Sequence, residues 1–312
     1  MIQTQPTRVT FGKNIGFRKE LNKRVDAYFK SENLTPRDNA AMYFKTAIIL
    51  GWVFFSWIFI LFSPPVMWMK ILGCIMLGMG FAGVGFSVGH DANHGGYSKK
   101  KWVNNTIGLT YDFVIGLSSY LWKFRHNYLH HTYTNILGHD VEIDGDGLVR
   151  MSPAREHKPY HKYQHLLINF AYAFNPFYWS FADVNLILFK RKYHEHNIPK
   201  PTTLQLLTLI GAKFVWLGLY AGIPFALGYS PIEIIIGLCI VNMVYGVLIC
   251  NVFMLAHVLE PAEFIEPNLP DNKVDDELAI AQVNTSVDFA PENKILNWYV
   301  GGLNYQTVHH LF

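Results

Sequence analysis

The sequence predicts an all-α integral membrane protein: four transmembrane helices, interfacial helices and a cytoplasmic, histidine-rich metal domain. Three observations carry this prediction. Hydrophobic residues make up 51% of the 312-residue chain and charged residues only 16%, against roughly 25% in soluble domains. Four runs nearly free of charge, at 46–62, 71–89, about 203–229 and 234–256, each approach the ~20 residues a helix needs to cross a bilayer. Seven of the 14 histidines fall in three short windows beside these runs.

The chain reads as one domain, 1–312, in five parts. Residues 1–38 are polar and basic, so no cleavable signal peptide is expected. Within them, 17–30 sets Phe17, Leu21, Val25, Tyr28 and Phe29 on one helical face amid Arg and Lys. This is an interfacial amphipathic helix or a basic helix packed on the cytoplasmic side. Thr35-Pro36-Arg37-Asp38 reads as a helix start, with Thr35 as cap. Residues 39–89 form a transmembrane hairpin turned at Ser63-Pro64-Pro65. Its second span carries Gly73, Gly78, Gly80, Gly83, Gly85 and Gly89, which permit close helix packing or leave room for an acyl chain.

Residues 90–202 form a cytoplasmic region. The apolar stretch 107–121 carries Asp112 and is too short to span, so it reads as one interfacial or buried helix. Residues 138–147 form an acidic, turn-rich loop; no Glu closes it as a calcium loop requires. Residues 163–189 read as a further interfacial helix. A second hairpin occupies 203–257, with Lys213 in its first span. Residues 258–312 return to the cytoplasm, with acids gathered at 259–278. There are no repeats and no nucleic-acid motif. Cys74, Cys239 and Cys250 lie inside apolar runs without CxxC spacing and read as small core or lipid-facing residues.

Charge sets the orientation. If all four runs span, Lys and Arg number nine before residue 46, thirteen between 95 and 200 and two after 257, all on one side. The positive-inside bias makes that side cytoplasmic. Lys99-Lys100-Lys101 and Lys190-Arg191-Lys192 suit an acyl-CoA phosphate or a lipid head group, or serve only as topology signal.

The histidine windows are His90-Asp-Ala-Asn-His94, His126-Asn-Tyr-Leu-His130-His131 and Gln306-Thr-Val-His309-His310. On an α-helix residues four apart share a face, so His90 pairs with His94, and His126 with His130. His131 projects about 100° from His130, so adjacent histidines can reach two metals. His257 closes the fourth run at the same expected depth. Eight imidazoles exceed the needs of one metal and suit iron, copper or zinc. Asp91, Asn93 and Asn127 sit between these histidines, either to orient imidazoles or to cap helix ends. His139, His157, His161, His165, His194 and His196 read as ordinary interfacial residues.

These three windows, in this order and at these distances from the apolar runs, resemble the histidine boxes of the membrane fatty acid desaturase family. The resemblance covers about Asn39 to Phe312 and includes Trp122 through Asn135 and Gln282 through Phe289. Gln306 stands where many members have His, as in the front-end and bacterial linoleoyl-CoA-desaturase-like branch. The resemblance implies a non-haem centre of two iron ions that uses O2 to place a cis double bond in an acyl chain. It gives the ligand roles to His90, His94, His126, His130, His131, His257, His309 and His310, with Gln306 as a weak ligand or the holder of a water or neighbouring histidine.

The implied substrate is an acyl-CoA or membrane lipid. No His-Pro-Gly-Gly haem motif is present, so a separate ferredoxin, rubredoxin or cytochrome b5 with its reductase is expected to supply electrons. Relatives continue past the third box, so a truncated chain is expected. The competing readings are a hydroxylase or ketolase on the same centre, and a non-catalytic membrane metal-binding or zinc protein. Transport would place ionisable groups at mid-membrane, where only Lys213 qualifies.

Overall fold

The structure is a computed structural model that describes residues 8–143, 149–193 and 196–312. His194, residues 144–147 of the acidic loop and the first seven residues, all read above from sequence, lie outside the described residues.

The architecture is helical. Helix α1 spans Phe17–Ser31. Four helices are long and apolar enough to cross a membrane: α2 (Ala40–Phe62), α3 (Met67–His94), α6 (Thr203–Ala226) and α7 (Pro231–Val258). Between the two hairpins lie α4 (Lys101–Gly108) and α5 (Gln164–Asn185). After them come α8 (Leu278–Asn284), α9 (Lys294–Val300) and α10 (Gln306–Leu311). Among the described residues the only strands are Lys192–Tyr193 and His196–Asn197, antiparallel with Tyr193 opposite His196.

Local chemistry sets the helix starts. Ser230 and Thr202 accept from the backbone of Glu233 and Gln205, whose side chains reach back to them, the reciprocal pattern of a capping box. Helix α2 departs from expectation, because its cap is Asn39, whose Oδ1 accepts from Ala41 N at 2.8 Å. Thr35 does not start it: Asp38 adopts φ 58°, and its carboxylate accepts from Ser98 Oγ (2.5 Å) and Lys99 N (2.9 Å). That acid therefore ties the entry of α2 to the chain beyond α3.

Helix α3 is mostly buried, packed between α2 and α7. Its glycines permit this. A Cβ on Gly78 would stand 2.7 Å from the Val241 carbonyl oxygen on α7. Helix α6 lies at the periphery and is mostly exposed. Lys213 on α6 points inward: its Nζ donates to Gly116 O at 2.5 Å and lies 3.9 Å from Asp183 Oδ2.

The stretch 107–121 is not one helix. It breaks into the end of α4, a π-helical turn at Tyr111–Ile115 and a new turn from Ser119. Gly116 takes a left-handed φ of 76°, open to glycine at little steric cost. The freed N–H groups of Ser118 and Ser119 go to Asp183 (2.6 Å) and Asp112 (3.3 Å). Leu121, Phe124, Leu129, Ile136, Ile187 and Val274 form a buried apolar cluster that joins this stretch to later parts of the chain.

Candidate metal centre

Helices α3 and α7 finish at the same end of the bundle and deliver His90, His94 and His257. The second window does not form an ordinary α-helix. Residues Lys123–His130 are π-helical, a widened geometry frequent at functional sites. The wider turn changes the expected pairing: His131, five residues on, comes to His126 with Nε2 atoms 3.3 Å apart. The third window is α10, whose adjacent histidines diverge as expected.

The imidazoles gather in two groups within metal-binding reach: His90, His94, His126 and His309, and then His130, His257 and His310. His131 joins neither group but stands between them, its ring 4.8 Å from His94 and 4.4 Å from His310. The adjacent pair of the third window divides: His309 goes to one group and His310 to the other. None of His139, His157, His161, His165 or His196 joins a group.

The outer ring nitrogens are held in the second group. His130 Nδ1 lies 3.1 Å from both Asp140 oxygens. His257 Nδ1 lies 3.3 Å from Thr285 O, and His310 Nδ1 3.2 Å from Thr134 Oγ1. Thr134 Oγ1 donates to His130 O at 2.8 Å, so it accepts from His310. These partners place protons on Nδ1 and leave Nε2 lone pairs facing inward. His310 and His257 then oppose two lone pairs at 3.3 Å, an arrangement a shared cation resolves. Two nitrogens each about 2.1 Å from one metal would stand roughly 3 Å apart. In the first group Nε2 of His90, His94 and His309 is buried without a partner. The donor set fits bound metal.

Electrostatics agree. Burial, then neighbouring imidazoles, holds His126, His131, His309 and His310 well below the ordinary histidine range. They are neutral at physiological pH, the state a metal requires. His130 is the exception. Burial acts against its proton, but the Asp140 carboxylate outweighs this and raises it.

The other candidates separate. Asp91 Oδ1 lies 3.4 Å from His90 Nδ1. Asn93 and Asn127 are not placed on an imidazole: Asn93 donates to Gly108 O (3.2 Å) and Asn127 to Asn93 O (2.9 Å). They tie the first two windows together through backbone. Gln306 is buried, and its amide nitrogen has no partner.

Sequence reasoning missed Asp140, Thr134, Thr285 and Asn135. Asn135 Nδ2 donates to His257 O at 2.8 Å and Thr285 O at 3.3 Å. Asp140 lay in the acidic loop weighed only for calcium; its signal was a carboxylate ten residues after a histidine in a box.

A cleft adjoins the imidazoles. His126, His130 and His257 line it beside Trp122, Ile249, Phe253 and Met254, and Ser118, Arg125, Glu142 and Asp183 add polar wall. An apolar cleft with a few polar groups is the usual form of a small-molecule site.

Comparison with known proteins gives the family. Residues 66–312 match the profile of the family described as Fatty acid desaturase. The chain is 64% identical over 307 residues to a sn-1 linoleoyl-lipid 6-desaturase of Arthrospira platensis, covering 98% of this chain and 82% of that one. It is 52% identical over 305 residues to the protein of that name from Synechocystis sp., covering 98% and 85%. An acyl-lipid (8-3)-desaturase of Mortierella alpina is 29% identical over 306 residues, covering 95% and 67%. The chain therefore belongs to the fatty acid desaturase family, membrane oxidoreductases that introduce double bonds into lipid acyl chains.

Proposed function

We propose that the two histidine groups hold two iron ions, and that the cleft beside them takes the acyl chain of a membrane lipid, desaturated at position 6. The observation that carries this reading is the pair of buried imidazole groups opening on an apolar cleft. The position and the lipid carrier come from relatives described as linoleoyl-lipid 6-desaturases, at 64% and 52% identity.

The ligands are His90, His94, His126 and His309 for one ion and His130, His257 and His310 for the other. His131, beside both groups, would complete the set, and Gln306 would offer an oxygen or hold a water. When bound, iron supplies the O2 chemistry. Two C–H bonds of adjacent methylenes break and a carbon–carbon π bond forms. O2 accepts four electrons, two from the chain and two from a separate one-electron donor, and with two further protons leaves as two waters.

The chain's own residues prepare this. Asp140, Thr285 and Thr134 fix the rings of His130, His257 and His310. Trp122, Ile249, Phe253 and Met254 exclude water from the methylenes and hold them against the imidazoles.

The test is mass spectrometry of fatty acids from a host expressing the chain, beside His130→Ala and His157→Ala. New chains lacking two hydrogens, absent with His130→Ala and retained with His157→Ala, are expected. Chains that gain one oxygen would make it a hydroxylase. Turnover in His130→Ala would overturn the ligand assignment.

A further inference from the structure

The cleft has a cation in its wall that the chemistry above does not use. Arg125 precedes His126 in the π-helical stretch and lines the cleft with it. Its side chain is 15% exposed. The guanidinium is incompletely satisfied: Nη2 meets Glu142 only at 3.4 and 3.5 Å, and Nε is buried with no partner. The rings of Tyr193 and Trp179 lie 4.7 and 6.0 Å from its centre, so it is packed in place rather than free to reach water.

A buried donor without an acceptor is costly, and a guanidinium presents its donors in a rigid fork. The neighbouring carboxylates do not fill the vacancy. Glu142 is already on Nη2, and Asp183 accepts from Ser118 N and lies near Lys213. With two carboxylates on the same wall, an incoming anion is disfavoured and a neutral acceptor suits the site. An acyl lipid carries such a group at the head of its chain: the ester carbonyl oxygen.

We propose that Arg125 binds the ester carbonyl of the acyl lipid, and that its place beside His126 sets the double bond close to the carboxyl end. This rests on the reading of the cleft as the acyl site. With the carbonyl on Arg125, the first carbons of the chain lie against the imidazoles and the remainder runs along the apolar wall of α7. Selection then counts from the carbonyl, not from the methyl end.

The experiment uses the full chain in membranes loaded with a glycerolipid carrying isotopically labelled linoleoyl at sn-1. Wild type, Arg125→Gln and Arg125→Lys are compared for rate against substrate mole fraction, double-bond position and bound iron. Arg125→Gln is expected to raise apparent KM by roughly tenfold or more, with a smaller change in kcat and products at more than one position. Wild-type KM with the single wild-type position would overturn the proposal. If Arg125→Gln loses iron or fails to accumulate, Arg125→Lys decides. It keeps the charge without the fork, and a KM raised about fivefold supports the anchor, whereas an unchanged KM overturns it. A wild type that yields no unsaturated product would instead sink the acyl-lipid reading itself.

Discussion

Asp140 shows how much of the site depends on one side chain beyond the histidines. Both its oxygens face His130 Nδ1 at 3.1 Å, and it accepts from Asn135 N (2.8 Å) and Glu142 N (2.9 Å). Burial raises its carboxyl, but His130 and these N–H groups outweigh burial and lower it. Asp140→Asn keeps the shape and removes the charge. The expected outcome is a loss of metal affinity or activity of about 10–100-fold, read as iron per chain after dialysis; wild-type iron content would refute it. Asp112 behaves oppositely. Its Oδ2 is buried without a partner, and burial pushes its carboxyl up to about 6. A raised folded value means that its contribution is fully present below the unfolded value of 3.8 and is lost as pH rises through about 6. Asp112→Asn keeps the acceptor for Ser119 and removes the buried charge. It is expected to raise Tm at pH 8 by the equivalent of about 2–3 kcal/mol, with the gain gone by pH 4. An equal gain at both pH values would exclude charge as the cause. Seven of the histidines were legible because they cluster in sequence, and His257 because it closes an apolar run. Asp140, Thr134 and Thr285 were not, because each meets its imidazole only after the chain folds back.

Elements differ in legibility for a related reason. The long spans were readable from hydropathy, since length and apolarity are local properties. The breaks were not. The stretch 107–121 divides because Asp183 and Lys213, from distant helices, take up its freed backbone groups. The π-helical stretch at Lys123–His130 has no sequence signature, and it reassigns His126 from His130 toward His131. Close packing of α5 on α7 is also a tertiary fact: a Cβ on Gly246 would lie 2.3 Å from Tyr172 O and 2.7 Å from Pro176 Cδ. Gly246→Ala is expected to cost about 1–3 kcal/mol, seen as a lower Tm in detergent. An unchanged Tm would mean that the two helices part easily.

At the scale of the molecule, orientation rests on charge. The end carrying the imidazoles also carries nearly all the Lys and Arg outside the spans, and the positive-inside bias predicts that it faces the cytoplasm. Lys100→Cys and Pro65→Cys, at exposed positions at opposite ends of the bundle, test this. A membrane-impermeant maleimide on intact cells is expected to label Pro65→Cys alone; labelling of Lys100→Cys alone would invert the molecule. Lys213, the one cation inside the third span, turns inward to Gly116 and Asp183. These partners were not legible in the sequence, since they lie in two other stretches of the chain.

The histidines of each group come from stretches far apart in the chain, from His90 on α3 to His309 and His310 on α10. A chain synthesised only as far as α9 can present neither group complete. Metal loading therefore waits on the docking of α10, after the four spans that precede it are made.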